Sequence, residues 1–525
     1  MEESDRRADD RRSSDRRSTD EYPHPFIHRV KLTGPQRIRG LVLGSVLFPL
    51  RVTLAAMLFL LSWPLARLRL AGLSAEERSR PVTGWRWWYF QVTIWLLSRG
   101  AFFSLGFLWV KVKGRRADLK EAPVLVAAPH SSFLDILVLC TARLPAVVSR
   151  SENSSLPVIG ALLESNQCVL VSRTDPESRK KVVAQVTERL TSSGYWPQML
   201  MFPEGTTTNG RSLIRFKPGA FLAGVPVQPV LLRYPNKLIT IIFFMNYKID
   251  RIEALWHTTS QLYTNMTVEF LPVYNPSPEE KNNPKLFADN VQKLMAKALG
   301  VPATDYVMEG GVPVRKVGDL SLLLESPARK TLSLLHDDGL EAFEMEASLD
   351  RMIDRCQSRA QGSKVSAEEL FSLLGLKRRE TSVRLCGLFS KVLWFDQTVD
   401  VRQFYLSVAS GRVGFRSLLH TAFRLFDGEG RGRVSAEELS GLMGALLGFP
   451  QRNTAQLFRE VSAHGPVTAE NLLRVLTTHP TYQRVANEYL QPEEAVSRLP
   501  FTPLANEKPE NNNRHLQDND NKKFE

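Results

Sequence analysis

Residues 123–139 read "PVLVAAPHSSFLDILVL". An apolar run rich in valine and alanine, closed by proline, predicts a short buried strand. His130 follows at once, and Asp135 stands five residues later, at the start of a second apolar run. A buried aspartate is rare unless paired, so the two residues call for a joint explanation. On a straight helix a five-residue step turns about 500°, leaving the side chains roughly 140° apart. They can meet only if His130 lies in a turn. If Ser131 or Ser132 caps a helix beginning near Phe133, Asp135 falls in its first turn and can reach back to the ring. A carboxylate on one ring nitrogen fixes the tautomer and makes the other nitrogen a better base. A plainer reading has the same residues serving only to cap a helix, with the aspartate favoured at its N-terminus.

Working outward, residues 122–300 alternate short apolar runs with amphipathic segments, the pattern of an α/β domain. Strands are predicted over 123–129, 146–149, 168–173, 198–203, 227–234 and 266–274, and a helix over 176–193. Toward the N-terminus two apolar stretches, Leu41 to Ala66 and Trp87 to Val110, are each long enough to cross a bilayer. Each carries a flaw, Arg51 in the first and Arg99 in the second. A mid-bilayer arginine is costly unless it snorkels or finds a partner. Two crossings, a re-entrant or interfacial hairpin, and a pair of core helices all remain open. The aromatic cluster "WRWWYF" at 85–90 suits a membrane interface.

The bulk numbers fit this layout. A chain of 525 residues has room for two or three domains. Its 68 Lys and Arg against 55 Asp and Glu leave +13, which suits anionic lipid or phosphate-bearing ligands as well as nucleic acid. Four scattered cysteines make neither a disulfide framework nor a CxxC metal site, so a reducing environment is expected. The first twenty residues mix both charges with little apolar content and predict disorder rather than a signal peptide. The chain closes "NKKFE", which places Lys522 and Lys523 where a dilysine retrieval address to the endoplasmic reticulum is read by cytosolic coat proteins.

Further motifs sharpen the middle third. Residues 201–230, "MFPEGTTTNGRSLIRFKPGAFLAGVPVQPV", set Phe202, Pro203, Glu204, Gly205 and Thr206 directly after a strand, followed by Lys217 and Gly219. Glycine there lets backbone N–H groups approach a ligand oxygen. With H-x-x-x-x-D, F-P-E-G-T and V-P-V-x-P-V in one order, the chain resembles the glycerolipid acyltransferase superfamily. "NSSLPVIGALL", "FKPGAFLAGVPVQPVLLRYPN" and "EFLPVYNPSPEE" make it most similar to the lysophosphatidylcholine and lysophosphatidylethanolamine acyltransferases with EF-hand tails, in their type 4 branch. The resemblance covers 22–310 well and the rest loosely.

It implies His130 as general base and Asp135 as its orienting partner. It further implies Arg173 and the stretch Phe202 to Thr206 as acceptor-binding groups, with Lys217 and Gly219 beside them. The implied reaction moves an acyl group from acyl-coenzyme A to a lipid hydroxyl, with no tightly bound cofactor and no nucleic-acid partner. Thr207 stands where relatives acting on lysophosphatidate commonly have arginine, the residue suited to gripping a terminal phosphate. Lysophospholipids with phosphodiester headgroups are therefore the favoured acceptors. Two rivals are a lysophosphatidic acid acyltransferase and a calcium-responsive membrane adaptor with an inactive enzyme domain.

In the last third Val365, Val399, Val434 and Val467 recur at EF-hand spacing, "VSAEEL" appearing twice. With Val434 as loop position eight, Asp427, Glu429 and Glu438 take metal-ligand places. Arg431 sets a cation where an oxygen ligand belongs, so weak or absent calcium binding is expected. In the other loops the first and last positions are Ser358 and Glu369, Val392 and Gln403, and Glu460 and Asn471, which are poorer still. An ordinary helical domain whose E-E-L phrases begin helices is the plainer alternative.

The predicted fold is an α/β acyltransferase domain behind an N-terminal hydrophobic helical anchor, followed by an all-α EF-hand-like domain. The expected boundaries are a disordered N-terminus over 1–28, a two-helix membrane anchor over 29–116 and an acyltransferase domain over 117–310. A linker over 311–340, a degenerate EF-hand-like domain over 341–492 and a disordered tail over 493–525 complete the chain. The expected location is the endoplasmic-reticulum membrane, with the catalytic domain and C-terminus cytosolic.

Overall fold

The computed structural model describes residues 24–26, 32–172, 176–234, 251–309, 311–323, 327–340, 342–357, 363–389, 398–410 and 414–490. Arg173, Ser358, Val392, Lys522 and Lys523 lie outside them, as do the predicted disordered termini save for residues 24–26. The chain divides into two compact units, with the boundary near residue 324.

The first unit is built on a seven-stranded sheet. Its strands are β1 (Trp109–Lys113), β2 (Val124–Ala128), β3 (Ala146–Arg150), β4 (Val169–Val171), β5 (Met199–Met201), β6 (Val227–Arg233) and β7 (Asn265–Phe270). Their spatial order is β1-β7-β6-β2-β5-β3-β4. β6, β2, β5, β3 and β4 run parallel, while β7 is antiparallel to β6 and carries β1 parallel to itself at the edge. β2 is central and buried along its whole length, as expected of a parallel strand covered on both faces.

The period-two alternation of β2 sorts its side chains between two cores. Val124, Val126 and Ala128 pack with Val186 and Leu190 of the helix Pro176–Leu190 and with Phe287, Val291 and Met295 of the helix Pro284–Leu299. Leu125 and Ala127 pack on the other face with Phe102, Phe107, Leu134, Leu137 and Val138. A continuous apolar strand is thus what two-sided burial demands, and the carboxyl ends of the five parallel strands share one edge. His130 follows β2 at that edge.

Both hydrophobic stretches are helical, Gly34–Leu70 and Gly84–Ser104. The first is long and apolar enough to cross a membrane, and its apolar window is 6 % buried. Leu41, Val42, Val46, Leu50, Met57 and Leu60 are all exposed along it. The second helix stops at Ser104, six residues before the end of the apolar stretch. Trp109 and Val110 belong instead to β1, paired with Asn265 and Met266. The stretch assigned to an anchor over 29–116 therefore includes an edge strand of the α/β sheet.

The arginines that interrupt the two stretches have partners. Arg51 Nη1 donates to the carbonyls of Thr259 (2.9 Å) and Gln261 (2.5 Å), and Nη2 donates to that of Leu262 (2.6 Å). Arg99 donates to the carbonyls of Phe107 and Leu108 at 3.0 and 2.9 Å. Gly106 makes room for the first set. A Cβ there would lie 2.7 Å from Arg51 Nη1, and its φ of +101° is open to glycine. The long helix is fastened near its C-terminal end as well, where Arg67 pairs with Glu164 at 2.9 Å. Ahead of its N-terminal end, His24 and Pro25 offer their carbonyls to Asn209 at 2.7 and 2.8 Å, and Phe26 is buried.

A smaller antiparallel sheet follows the α/β domain, made of β8 (Tyr306–Glu309), β9 (Val312–Val317) and β10 (Leu320–Leu323). The linker predicted over 311–340 thus holds two strands and the helix Pro327–Asp337.

The second unit is predominantly helical. Leu335, Met352, Leu370, Leu385 and Phe404 form its first core. The four recurring valines meet two by two: Val365 pairs antiparallel with Val399, and the Val434 N–H donates to the Val467 carbonyl at 3.0 Å. Both "VSAEEL" phrases start helices through a capping box. Ser366 and Glu369 exchange bonds at 2.8 and 3.3 Å, and Ser435 and Glu438 do so at 2.8 and 3.2 Å.

Candidate active site

His130 lies just past the carboxyl end of β2, where open α/β sheets place their chemistry. The chain turns there because Ser132 caps a 3₁₀ helix, Phe133–Leu137, its hydroxyl accepting from the Leu134 N–H at 3.1 Å. Asp135 sits in that first turn, and its Oδ2 bonds His130 Nδ1 at 2.7 Å. The same oxygen accepts from the Ser131 and Ser132 N–H groups at 2.7 and 2.9 Å. One carboxylate thus both caps the turn and holds the imidazole, an arrangement common to the dyad and helix-capping readings. Asp135 is wholly buried, whereas the His130 side chain keeps 21 % of its surface. The bond to Asp135 engages Nδ1 and not the other ring nitrogen, Nε2.

A second wall comes from the loop after β5, the strand beside β2. Phe202 stacks on the His130 ring, with centroids 4.3 Å apart and planes 26° apart. Glu204 is buried and accepts from the His130 N–H at 3.2 Å and from the Thr208 hydroxyl at 3.4 Å. The Thr208 N–H returns a bond to the His130 carbonyl at 2.7 Å. Glu204 thus clasps the two loops. Burial first, and the neighbouring Asp135 charge with it, pushes its carboxyl well above the ordinary glutamate value against the pull of the His130 N–H. Its Oε1 is buried and has no hydrogen-bond partner among the described residues.

Gly205 adopts φ +62°, and a Cβ there would strike the Lys217 side chain, with Nζ at 2.9 Å. Pro203 holds Lys217 in place by accepting its backbone N–H at 2.8 Å. Thr206 and Thr207 are half-buried in the same loop. Gly219, on the turn Pro218–Ala220, faces open space. The structure therefore gathers His130, Asp135, Phe202, Glu204, Gly205 and Lys217 at one edge, and leaves Gly219 without a steric reason to be glycine.

One contact was not anticipated from the sequence. Tyr234, immediately beyond β6 on the other side of β2, donates its hydroxyl to Asp135 Oδ1 at 2.5 Å. The signal was its register, one residue past the end of a strand that neighbours β2.

The residues predicted at metal-ligand places in the second unit have other partners. Asp427 accepts from the backbone N–H groups of Arg431 and Gly432 at 3.1 and 2.6 Å. Glu438 accepts from those of Gly428 and Ser435, and Glu429 pairs with the Arg431 guanidinium. Among the described residues no group of three His, Cys, Asp or Glu side chains is placed to hold a metal ion.

Comparison with known proteins gives consistent matches. A family model described as Acyltransferase matches residues 110–233. The chain is 42 % identical to lysophospholipid acyltransferase LPCAT4 of Xenopus tropicalis over 488 residues, 91 % of each chain. It is 42 % identical to the Homo sapiens protein of that name over 92 % of each. Lysophosphatidylcholine acyltransferase 2 of Homo sapiens is 39 % identical over 89 % of this chain and 85 % of its own. The crystal structure of the 1-acyl-sn-glycerophosphate (LPA) acyltransferase PlsC from Thermotoga maritima covers 50 % of this chain and 97 % of that one, at 18 % identity and a TM-score of 0.34.

Proposed function

Because the chain belongs to the lysophospholipid acyltransferase family, we propose that it is an enzyme re-acylating lysophospholipids, with acyl-coenzyme A as donor and His130 as general base. The observation that carries this is the 2.7 Å bond between His130 Nδ1 and the buried Asp135, on a ring that keeps part of its surface exposed. With Nδ1–H engaged, Nε2 takes the proton from the lipid hydroxyl as its oxygen attacks the thioester carbonyl. The coenzyme A thiolate then leaves without strong acid help. Phe202 holds the ring flat, and Glu204 fixes the backbone on which the ring hangs.

Thr207 in place of arginine supports phosphodiester acceptors such as lysophosphatidylethanolamine and lysophosphatidylcholine. In a panel assay of purified enzyme, initial rates on these two are expected to exceed that on lysophosphatidate. A lysophosphatidate preference would return the protein to the phosphatidate-forming rival.

The location we infer is the cytosolic face of the endoplasmic-reticulum membrane, with the hydrophobic helices lying along the bilayer surface. Their exposed apolar side chains and the exposed Trp85, Trp87 and Trp88 suit the interface. The fastenings of the long helix to the α/β domain near its end and at its middle, and of the segment just ahead of it, oppose a crossing. Recognition of Lys522 and Lys523 by coat proteins and binding of acceptor groups by Arg173 belong to the same proposal.

We read the second unit as EF-hand-like, on the strength of its two valine pairings. Arg431 and Glu429 neutralise each other where a calcium ion would need both positions to supply oxygen. Calorimetric titration of the full chain with calcium is expected to show no submicromolar site. A tight, stoichiometric heat would reverse this reading.

A further inference from the structure

The Asp135 carboxylate is fully buried, and its two oxygens are served unequally. Oδ2 receives His130 Nδ1 and the N–H groups of Ser131 and Ser132. Among the described residues, Oδ1 receives Tyr234 alone, at 2.5 Å. A buried oxygen stripped of its sole partner bears the full cost of desolvation. The three donors to Oδ2 come from within five residues of Asp135, so the turn supplies them as it forms. Tyr234 is 99 residues away and arrives by strand adjacency, because β6 and β2 pair in register from Val124 with Val227 to Ala128 with Leu231. Burial first, and then the Asp135 charge, pushes the phenol well above its ordinary value, so the hydroxyl keeps its proton and is the donor.

We propose that Tyr234 is a positioning residue of the acyl transfer: by holding Oδ1 it fixes the plane of the Asp135 carboxylate and keeps Oδ2 directed at His130 Nδ1. This rests on the reading of His130 as general base. The sequence His130, Asp135, Tyr234 is then a three-member chain spanning adjacent strands. Its outer member meets the carboxylate and not the imidazole, and acts through Asp135. Its effect is felt when the imidazole takes on charge, because a carboxylate rotated away from Nδ1 stabilises that charge less.

The test is a set of variants of the full chain in one thiol-release assay with lysophosphatidylethanolamine and acyl-coenzyme A. Tyr234→Phe keeps the ring and removes the hydroxyl. One hydrogen bond to a charged group corresponds to a rate effect of roughly 10- to 100-fold. That loss is expected in kcat, with KM for both substrates within about twofold of the parent. In an Asp135→Asn background the same change is expected to cost nothing further, since its target is already gone. A kcat within twofold of the parent, a loss carried by KM, or losses that multiply in the double variant would each overturn the proposal. His130→Ala in the same assay separates the layers. If it remains fully active, the histidine reading itself fails, whereas an inactive His130→Ala beside an unaffected Tyr234→Phe condemns only the tyrosine. Should Tyr234→Phe melt early, ring-fluorinated tyrosine at 234 replaces it. A kcat that tracks phenol acidity supports the role, and an indifferent one removes it.

Discussion

His130→Ala is expected to lose acyl transfer by about 10²- to 10⁴-fold, the range typical of a positioned general base. The methyl group leaves Nε2 chemistry without a replacement, because no other described side chain reaches the Asp135 carboxylate except Tyr234, a phenol that holds its proton. The fold should tolerate the change. The ring is partly exposed, and the backbone bonds of residue 130 to Glu204 and from Thr208 do not involve its side chain. Membrane association, followed by flotation with liposomes, is therefore expected to be unchanged while coenzyme A release falls to background. Retained turnover would overturn the assignment of His130 as the base and leave the buried Asp135 with capping alone.

Arg51→Leu separates two ways of meeting a bilayer by the sign of its effect. If the long helix crossed the membrane with Arg51 near mid-depth, replacing the cation by leucine would remove a penalty of about 3 kcal/mol and strengthen the anchor. In the structure the guanidinium instead satisfies the carbonyls of Thr259, Gln261 and Leu262. Leucine reaches none of them. Hydrogen bonds to charged groups contribute about 1.5–3 kcal/mol each and do not add fully. A net destabilisation of about 3 kcal/mol is therefore expected, read as a melting temperature lower by roughly 5–10 °C and faster proteolysis near residues 259–264. A variant more stable than the parent would favour the crossing.

Much of the candidate site was legible because its determinants are local. The strand, the capping serine and the aspartate of the first turn lie within twelve residues, and their spacing excludes a straight helix. What escaped was set by partners far along the chain. β1 reads "WVKVK", and its exposed edge leaves little burial pattern to distinguish it from the tail of the apolar stretch before it. Its identity as a strand is decided by β7, more than 150 residues later. Tyr234 escaped for a related reason, since only the order β6-β2-β5 brings residue 234 to the aspartate. β9 and β10 were within reach. Gly318, at φ +59°, marks the turn between two alternating runs, and that turn chemistry argues for a hairpin rather than a linker. Glu204 was legible as a site residue, but its burial was not, because nothing local shows that its carboxyl points inward to the His130 backbone.

The strand that leaves the hydrophobic helices is stitched into the catalytic sheet, from Trp109 against Asn265 to Lys113 against Glu269. No flexible tether separates the greasy portion from the chemistry. If those helices rest on the bilayer, the depth of the imidazole relative to the headgroup plane is a constant of the fold, and the acceptor must rise to meet it. Lifting a chain out of lipid costs about 0.8 kcal/mol for each methylene exposed, so a single-chain lipid ascends far more readily than the two-chain product. Such rigidity would itself favour a one-way passage, drawing lysolipids up and returning finished phospholipid to the bilayer.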